Sequence, residues 1–493
     1  MLLMLQARLA AAETTNNIRT LRLAECVRLA IEHNFDVKIE QKGVDIARAQ
    51  LSLAYGGYDP VLSASIRQGH SFEVGSTEPT NRVFASTSKN TDEFTAGLKG
   101  LLPTGLEYEL GGGLLDSSGK EPKDDMGARG PFDDTSGAVK IDVKQPLLKN
   151  AWIDAPRLGI QVSKKLLKIS ELALLGQMMN TITRVELAYY DLLLAREVVK
   201  VQEQALGLAQ QLVTANRARI QQGVMAALDE KQAESQASAQ RALLLAAQRA
   251  VGAQENVLKG LLSDKLEEWQ DVSIEPTGDL AATPHAAQRS ESWARGLALR
   301  PDLLQARADV ERLGYFVRFN LNQLFPQLDV VGTYGHAASD HEFSGAFGQV
   351  RHGSSPFYSY GLQMTIPLER RTARETYRMS KAEREQSALR LRQLEQDILL
   401  QIDDAVKVIE TNFERVGTTR QAREFAEIAL HAEQTRMDNG KGSSFFVLQL
   451  QRDLTSARSE EIRALADYNK ALAQLALREG STLERHRVDV QVK

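Results

Sequence analysis

Two stretches, Pro156–Gln222 and Arg370–Asn439, carry apolar residues in a helical rhythm far longer than a globular domain requires. In the first, Val185, Leu192, Val199, Leu206, Val213 and Ile220 recur every seven residues, with Ala188, Ala195 and Ala209 between them. That is an a/d heptad seam, and its small d residues let a neighbouring helix approach closely. At 1.5 Å per residue, an unbroken helix over either stretch reaches roughly 100 Å. Each stretch ends at a glycine turn, and a shorter helix returns from it, near Ala226–Leu262 and Phe445–Arg478. The chain spans a distance.

The rest of the pattern is doubled. Leu21–Tyr55 reads as a helix, with Leu23, Val27, Ala30 and Ile31 on one face, continued by Val37, Val44 and Ala47. Pro60 stops it, and Val61–Ile66 begins a strand. A shift of 266 residues lays Asn34-Phe35-Asp36 on Arg300-Pro301-Asp302 and Pro60 on Pro326, after which Gln327–Tyr334 is again a strand. A second strand follows in each half: Ala138–Pro146, and Tyr358–Pro367 with Tyr360, Leu362, Met364 and Ile366 on one face. Pro60 and Pro326 open strands; Pro146 and Pro367 close them where a missing N–H costs least. The far turns also correspond. Arg219 and Arg436 each stand four residues before a glycine, Gly223 and Gly440, suited to a left-handed helix cap.

The chain is therefore a tandem repeat of helix, strand, loop, strand, long helix, turn and helix. It divides into an N-terminal tail (1–20), a first repeat (21–262, strands within 60–146), a connector (263–288), a second repeat (289–478, strands within 326–367) and a C-terminal tail (479–493). Gly69–Thr91, Asp116–Ser136 and Ser339–Ser355 read as polar loops. The two hairpins give four strands, and a closed membrane barrel needs about eight at the least. One chain falls short; several copies sharing a barrel do not, and their heptad seams then pack into a helical tube.

Composition narrows the classes. A net charge of −4 and aromatics at 6%, with no basic run, give no nucleic-acid signature. The single Cys26 rules out an internal disulfide and a cysteine zinc cluster. Its setting, Leu23-Ala24-Glu25-Cys26, puts Glu25 where a lipid-attachment site needs a small residue, so Cys26 reads as core. No run of eighteen apolar residues exists, which excludes a transmembrane helix but not barrel strands hidden by alternation. Leu2–Leu5 and Leu9–Ala12 read as the remnant of a signal peptide, cleaved after Ala10-Ala11-Ala12, although Arg8 interrupts it.

This order, with its doubled proline–strand pattern and doubled Arg-x-x-x-Gly turns, resembles the TolC-like outer-membrane efflux proteins over Leu21–Arg478. The resemblance implies a mostly α fold with β strands: long coiled-coil hairpins forming a trimeric α-barrel, and barrel strands from each protomer. It implies a homotrimer in outer-membrane lipid of a Gram-negative bacterium, with twelve strands, a twelve-helix periplasmic tunnel, and partners in a periplasmic adaptor and an inner-membrane pump. The function implied is passive exit of substrates from a tripartite pump or type I secretion system, with no enzyme activity and no cofactor. One segment departs from the family. Phe94–Leu102 and Leu106–Leu115, joined by Pro103-Thr104-Gly105, read as an added hairpin. Six strands per chain would give eighteen in a trimer, mismatched in diameter to a twelve-helix tube. The alternative is that the hairpin projects beyond the membrane or lies against the barrel; the residues leave both open, with the family's twelve favoured.

The resemblance makes Arg219, Gly223, Arg436 and Gly440 adaptor-docking points; plain helix capping is the competing account. Past the turns it implies a pore constriction, where Asp229 matches an acidic position and the second repeat has Phe446 and Gln449, with Phe445 adjacent. Phenylalanines there would close a pore by apolar contact and dewetting, against the plainer account that they pack the hairpin tip. His336, Asp340, His341, Glu342 and His352 share a loop but match no closed zinc spacing, and Lys120–Asp134 reads as a hydrated loop. Tyr55, Tyr58, Phe325, Tyr334, Phe357, Tyr358 and Tyr360 suit an aromatic girdle at a membrane interface, or packing in a soluble sheet. No nucleophile elbow, phosphate loop or helical pair of metal histidines is present. The rival to the duct is a soluble or peripheral coiled-coil scaffold that conducts nothing.

Overall fold

Asn34 divides the first predicted helix in two. In the computed structural model, which describes residues 17–77, 83–84, 86–123, 128–222, 225–284 and 288–488, a short strand β1 (Asn17–Leu21) leads into α1 (Leu23–His33) and α2 (Phe35–Tyr55). Asn34 lies extended between the two helices; its Oδ1 accepts from the Asp36 N–H at 2.9 Å, and its Nδ2 donates to the Leu261 carbonyl at 3.1 Å. Asparagine is a strong N-cap, so one apolar stripe here runs along two helices. The proposed signal remnant falls on residues outside the described ones.

The chain continues through β2 (Val61–Glu73), β3 (Ser76–Thr77), β4 (Val83–Phe84), β5 (Thr87–Leu101), β6 (Glu107–Pro122) and β7 (Arg129–Pro146). Then come α3 (Ala155–Gln221), α4 (Ala227–Leu262), β8 (Val272–Pro276), α5 (Arg289–Leu299) and α6 (Pro301–Asn322). After these follow β9 (Gln327–Asp340), α7 (Phe343–His352), β10 (Ser355–Thr365), α8 (Arg371–Asp438), α9 (Ser444–Glu479) and α10 (Thr482–Arg485). α3 and α8 have 67 and 68 residues, and α4 and α9 return from them with 36 each. Two units divide the residues: 1–45, 169–307 and 390–493 in one, 46–168 and 308–389 in the other.

The first unit holds matching cores. Cys26, Val27 and Ala30 of α1 pack with Ile182, Val185 and Leu192 of α3, Leu258 and Leu262 of α4, and Ile274 of β8. Leu303 of α6 packs in the same manner with Ile398, Ile402 and Ile409 of α8 and Tyr468 and Leu475 of α9. β1 pairs in parallel with β8, so part of the connector joins the first core. Burial pushes the Cys26 thiol up to about 12, with the Glu25 charge adding to it. Along α3 the buried positions move from Val185 and Leu192 to Val201, Ala205, Ala209 and Leu212, while Val199, Leu206, Val213 and Ile220 are half-buried. A helix of 3.6 residues per turn drifts away from a seven-residue seam in this way.

The second unit holds a six-stranded antiparallel sheet in the order β10-β9-β7-β6-β5-β2. The sheet thus has six strands, two more than the four that the family pattern favours for the barrel. The added hairpin is β5–β6, and it lies inside the sheet between β2 and β7. Its turn closes through Leu102 N–H to the Leu106 carbonyl at 2.8 Å, with Gly105 at φ +85.

The predicted loops are also shorter than expected. β2 runs to Glu73, β5 starts at Thr87, and most of 116–136 belongs to β6 and β7, with 78–82, 85 and 124–127 outside the described residues. These strand ends carry Ser, Gly, Asp and Thr on both faces, so alternation could not mark them. Ser339–Ser355 contains α7, which ends at Gly353 in the left-handed region. β10 stops at Thr365, before Pro367, whereas Pro146 is the last residue of β7.

Candidate functional site

Of the two hairpin turns of the first unit, only the second is described throughout. The second is a glycine cap: Gly440 has φ +72, Lys441 N–H reaches the Arg436 carbonyl at 2.9 Å, and Gly440 N–H reaches Met437 at 3.1 Å. That pair of bonds satisfies carbonyls α8 would otherwise leave open. Gly442 is required as well, because a Cβ there would stand 2.5 Å from the Met437 nitrogen. Ser443 then caps α9, accepting from the Phe445 N–H at 3.3 Å, while its own N–H donates to Glu433 at 3.3 Å. Gly223 lies outside the described residues.

The turns are joined across the repeats. Arg219 donates from Nη2 to Asp438 at 2.9 Å, so this predicted docking residue already has an intramolecular partner. Buried Asn216 donates from Nδ2 to Ser444 Oγ at 2.9 Å and to the Asp229 carbonyl at 3.2 Å. Arg452 of α9 reaches Gln236 of α4 at 2.9 Å. Leu212, Ala233, Leu430, Met437, Val447, Leu448 and Leu454 form one apolar core behind these bonds. Arg436 remains largely exposed and pairs with Glu433 at 3.1 Å. On α4, a hydrogen bond from Lys231, with Arg217 nearby, holds the Glu234 carboxyl below its ordinary range.

The predicted constriction residues divide between surfaces. Phe445 and Gln449 line a groove of about 450 Å³ with Leu228, Gln232 and Leu448. Phe445 and Phe446 are 58% and 55% exposed and meet edge to face, with ring centroids 5.7 Å apart. Asp229 contributes its carbonyl to Asn216. Sequence reading missed Asn216, Gly442 and Ser443. The Gly-Ser-Ser string before an apolar helix start was a capping signal for the last two, whereas Asn216 looks like any polar residue of a long helix.

The sheet of the second unit has two contrasting faces. Register aligns Leu62, Leu98, Leu110, Ile141, Tyr334 and Tyr358 in one row across all six strands. Ile66, Phe94 and Leu114 form another row on that face, and Tyr360, Leu362 and Met364 extend it along β10. The opposite face aligns Lys99, Glu109, Asp142 and Thr333, with Lys140, Lys144 and Glu107 beside them. α7 packs on the apolar face, where Phe343 meets Phe94 edge to face at 5.9 Å. Tyr334, Tyr358 and Tyr360 are exposed on that face, and Phe357 points to the other. Pro60 and Pro326 immediately precede β2 and β9.

The histidines do not converge. His336 lies in β9, His341 faces the Asp133 carbonyl at 3.0 Å, and His352 bonds to the Gly348 carbonyl at 2.7 Å. Among the described residues, no three His, Cys, Asp or Glu side chains group as a metal site would need, and no helix is long and apolar enough to cross a membrane.

A family model described as outer membrane efflux protein matches residues 128–263 and 295–480, and the chain belongs to that family. The family is one of non-enzymatic outer-membrane efflux channels, and this chain is an outer-membrane protein of that family. Among curated proteins it is similar to the outer membrane efflux protein BepC of Brucella suis biovar 1 (strain 1330), 25% identical over 303 residues. That match covers 60% of this chain and 62% of the relative's length. Its fold is similar to the outer-membrane channel OprN, with 16% identity, TM-score 0.67 and coverage of 93% of this chain and 90% of that one. It is similar also to the CmeC outer membrane channel of Campylobacter jejuni (15%, TM-score 0.66, 93% and 86% covered) and the outer membrane protein VceC of Vibrio cholerae (16%, 0.66, 93% and 96%).

Proposed function

We propose that three copies of this chain assemble into a channel-tunnel through which substrates leave passively from a tripartite efflux pump or a type I secretion system. The observation that carries this reading is the two-faced sheet with free edges. One face is apolar over six strands, the other is charged, and among the described residues β2 and β10 have no partner strand on their outer sides. Lipid accepts such a sheet only when every edge is paired. Copies of the same chain supply those edges, placing the apolar face toward lipid and the charged face toward water.

The helical hairpins of the first unit then line a periplasmic tunnel, with the half-buried Val199, Leu206, Val213 and Ile220 meeting the next copy. The turns carrying Arg219, Gly223, Arg436 and Gly440 face a periplasmic adaptor served by an inner-membrane pump. Asp229, Phe445, Phe446 and Gln449 form the constriction, which widens when the hairpins splay under the adaptor's binding energy. Detergent-purified protein in planar bilayers tests this reading: discrete conductance steps from a trimer support it, and a protein that leaves the membrane in carbonate without detergent refutes it.

A further inference from the structure

The β5–β6 hairpin occupies the middle of the sheet, and its position decides how wide a barrel the chain can build. We propose that it forms part of the membrane wall, so that each copy contributes six strands and three copies close an eighteen-stranded barrel. The copy number rests on the trimeric channel reading above.

Strand length is the first argument. A membrane strand needs about 9–11 residues, and β5 and β6 have 15 and 16. Continuity is the second. Both the apolar row from Leu62 to Tyr358 and the charged row Lys99–Glu109–Asp142 pass through the hairpin without a break in alternation. α7 meets this face at Phe94 through Phe343, yet Leu110 and Ile141 on the same face are left 47% and 39% exposed, as a lipid-facing row would be.

Topology is the third argument. β5 pairs with β2 along its length and β6 with β7, so lifting the hairpin out breaks both ladders. β2 would then have to find β7 directly. An even number of strands also leaves the free edges β2 and β10 running in opposite directions, so β2 of one copy pairs antiparallel with β10 of the next. Those edges are the most exposed strands of the sheet: Leu62 is 76% and Tyr360 85% exposed. At 13 and 11 residues they differ in length by only two.

Barrel diameter grows roughly linearly with strand number, so this wall is about one and a half times as wide as one of four strands per copy. Cryo-electron microscopy of the full chain in lipid nanodiscs counts copies and strands together. Three copies with eighteen strands support the proposal. Three copies with twelve strands and the hairpin outside the wall overturn it and leave the channel reading intact, whereas particles without a closed barrel overturn both. A second readout uses single cysteines at Phe94, Thr95, Leu98 and Lys99 in membranes, with a water-soluble maleimide. Labelling at Thr95 and Lys99 but not at Phe94 and Leu98 supports a wall position; uniform labelling overturns it.

Discussion

Asn216 of the first long helix and Ser444 at the start of the second return helix are hydrogen-bonded at 2.9 Å, buried, across the two halves of the repeat. The same amide holds the Asp229 carbonyl, so one side chain ties together three of the four helices that meet at the turns. Breaking a buried hydrogen bond of this kind costs about 1–3 kcal/mol when a partner is left unsatisfied. Asn216→Ala is expected to loosen the tips and raise the mean conductance of the channel in planar bilayers. A variant with wild-type conductance and gating would show that this tie does not hold the closed form.

Arg219 and Asp438 make a second link between the turns, at 2.9 Å and with Asp438 well exposed. With Asp438 in solvent and Arg219 partly covered, the pair contributes about 1 kcal/mol or less, so Arg219→Ala should change thermal stability little. If adaptor docking uses the arginine, cross-linking yield to the adaptor falls at this position while stability stays. Equal yields for wild type and variant would confine Arg219 to the intramolecular pair.

Gly440 and Gly442 are irreplaceable for different reasons. A side chain at Gly440 meets no atom but must adopt φ +72, a strain of about 1–2 kcal/mol. At Gly442 a Cβ would strike the Met437 backbone, which the α8 cap holds in place. Limited proteolysis at the turn should therefore accelerate more for Gly442→Ala than for Gly440→Ala. The reverse order would mean the turn can shift around residue 442.

Phe445 and Phe446 stand exposed, ring edge against ring face. In the proposed constriction, Phe445→Ala and Phe446→Ala each raise single-channel conductance, and the double variant raises it further. Unchanged conductance in all three variants would remove them from the gate.

Asp302 links stability to pH. Burial works against its ionisation, but the Arg300 guanidinium and the Leu303 N–H outweigh that and hold its carboxyl below the ordinary range. A carboxylate with a depressed folded pKa stabilises the protein above its unfolded pKa and loses that contribution as pH falls through the folded value. Asp302→Asn should therefore unfold at lower denaturant than wild type near pH 7, by about 1 kcal/mol or less given its partial exposure. The gap should close in acid. A constant gap down to the acid limit would show that charge is not the cause.

Much of this architecture is legible in the chain. The heptad of the first long helix, the Pro60/Pro326 shift and the Gly440 turn mark the helical stretches, because each rests on local periodicity or a fixed φ. The sheet was less readable. Strand ends rich in Ser, Gly and Asp have no apolar face to alternate, so β6 and β7 run on through what looks like a loop. Asn34 breaks a helix whose stripe continues past it, since capping is set by one side chain and not by period. Asn216 was invisible, as its partners Asp229 and Ser444 are 13 and 228 residues away.

The charged face of the sheet also bears on transport. If Lys99, Glu109 and Asp142 line water while Leu110 and Ile141 face lipid, Ile141→Arg should cost about 2–4 kcal/mol of folding into vesicles at mid-membrane depth. Lys99→Glu should fold normally. Equal tolerance at both positions would invert or abolish the assignment of faces.

Everything here depends on one polypeptide being a sector of a closed cylinder. The direct measurement is the protein mass of the detergent-purified particle, by light scattering corrected for bound detergent. A mass of three chains that persists on dilution is the expected result. A single chain, stable and soluble once detergent is withdrawn, would contradict it.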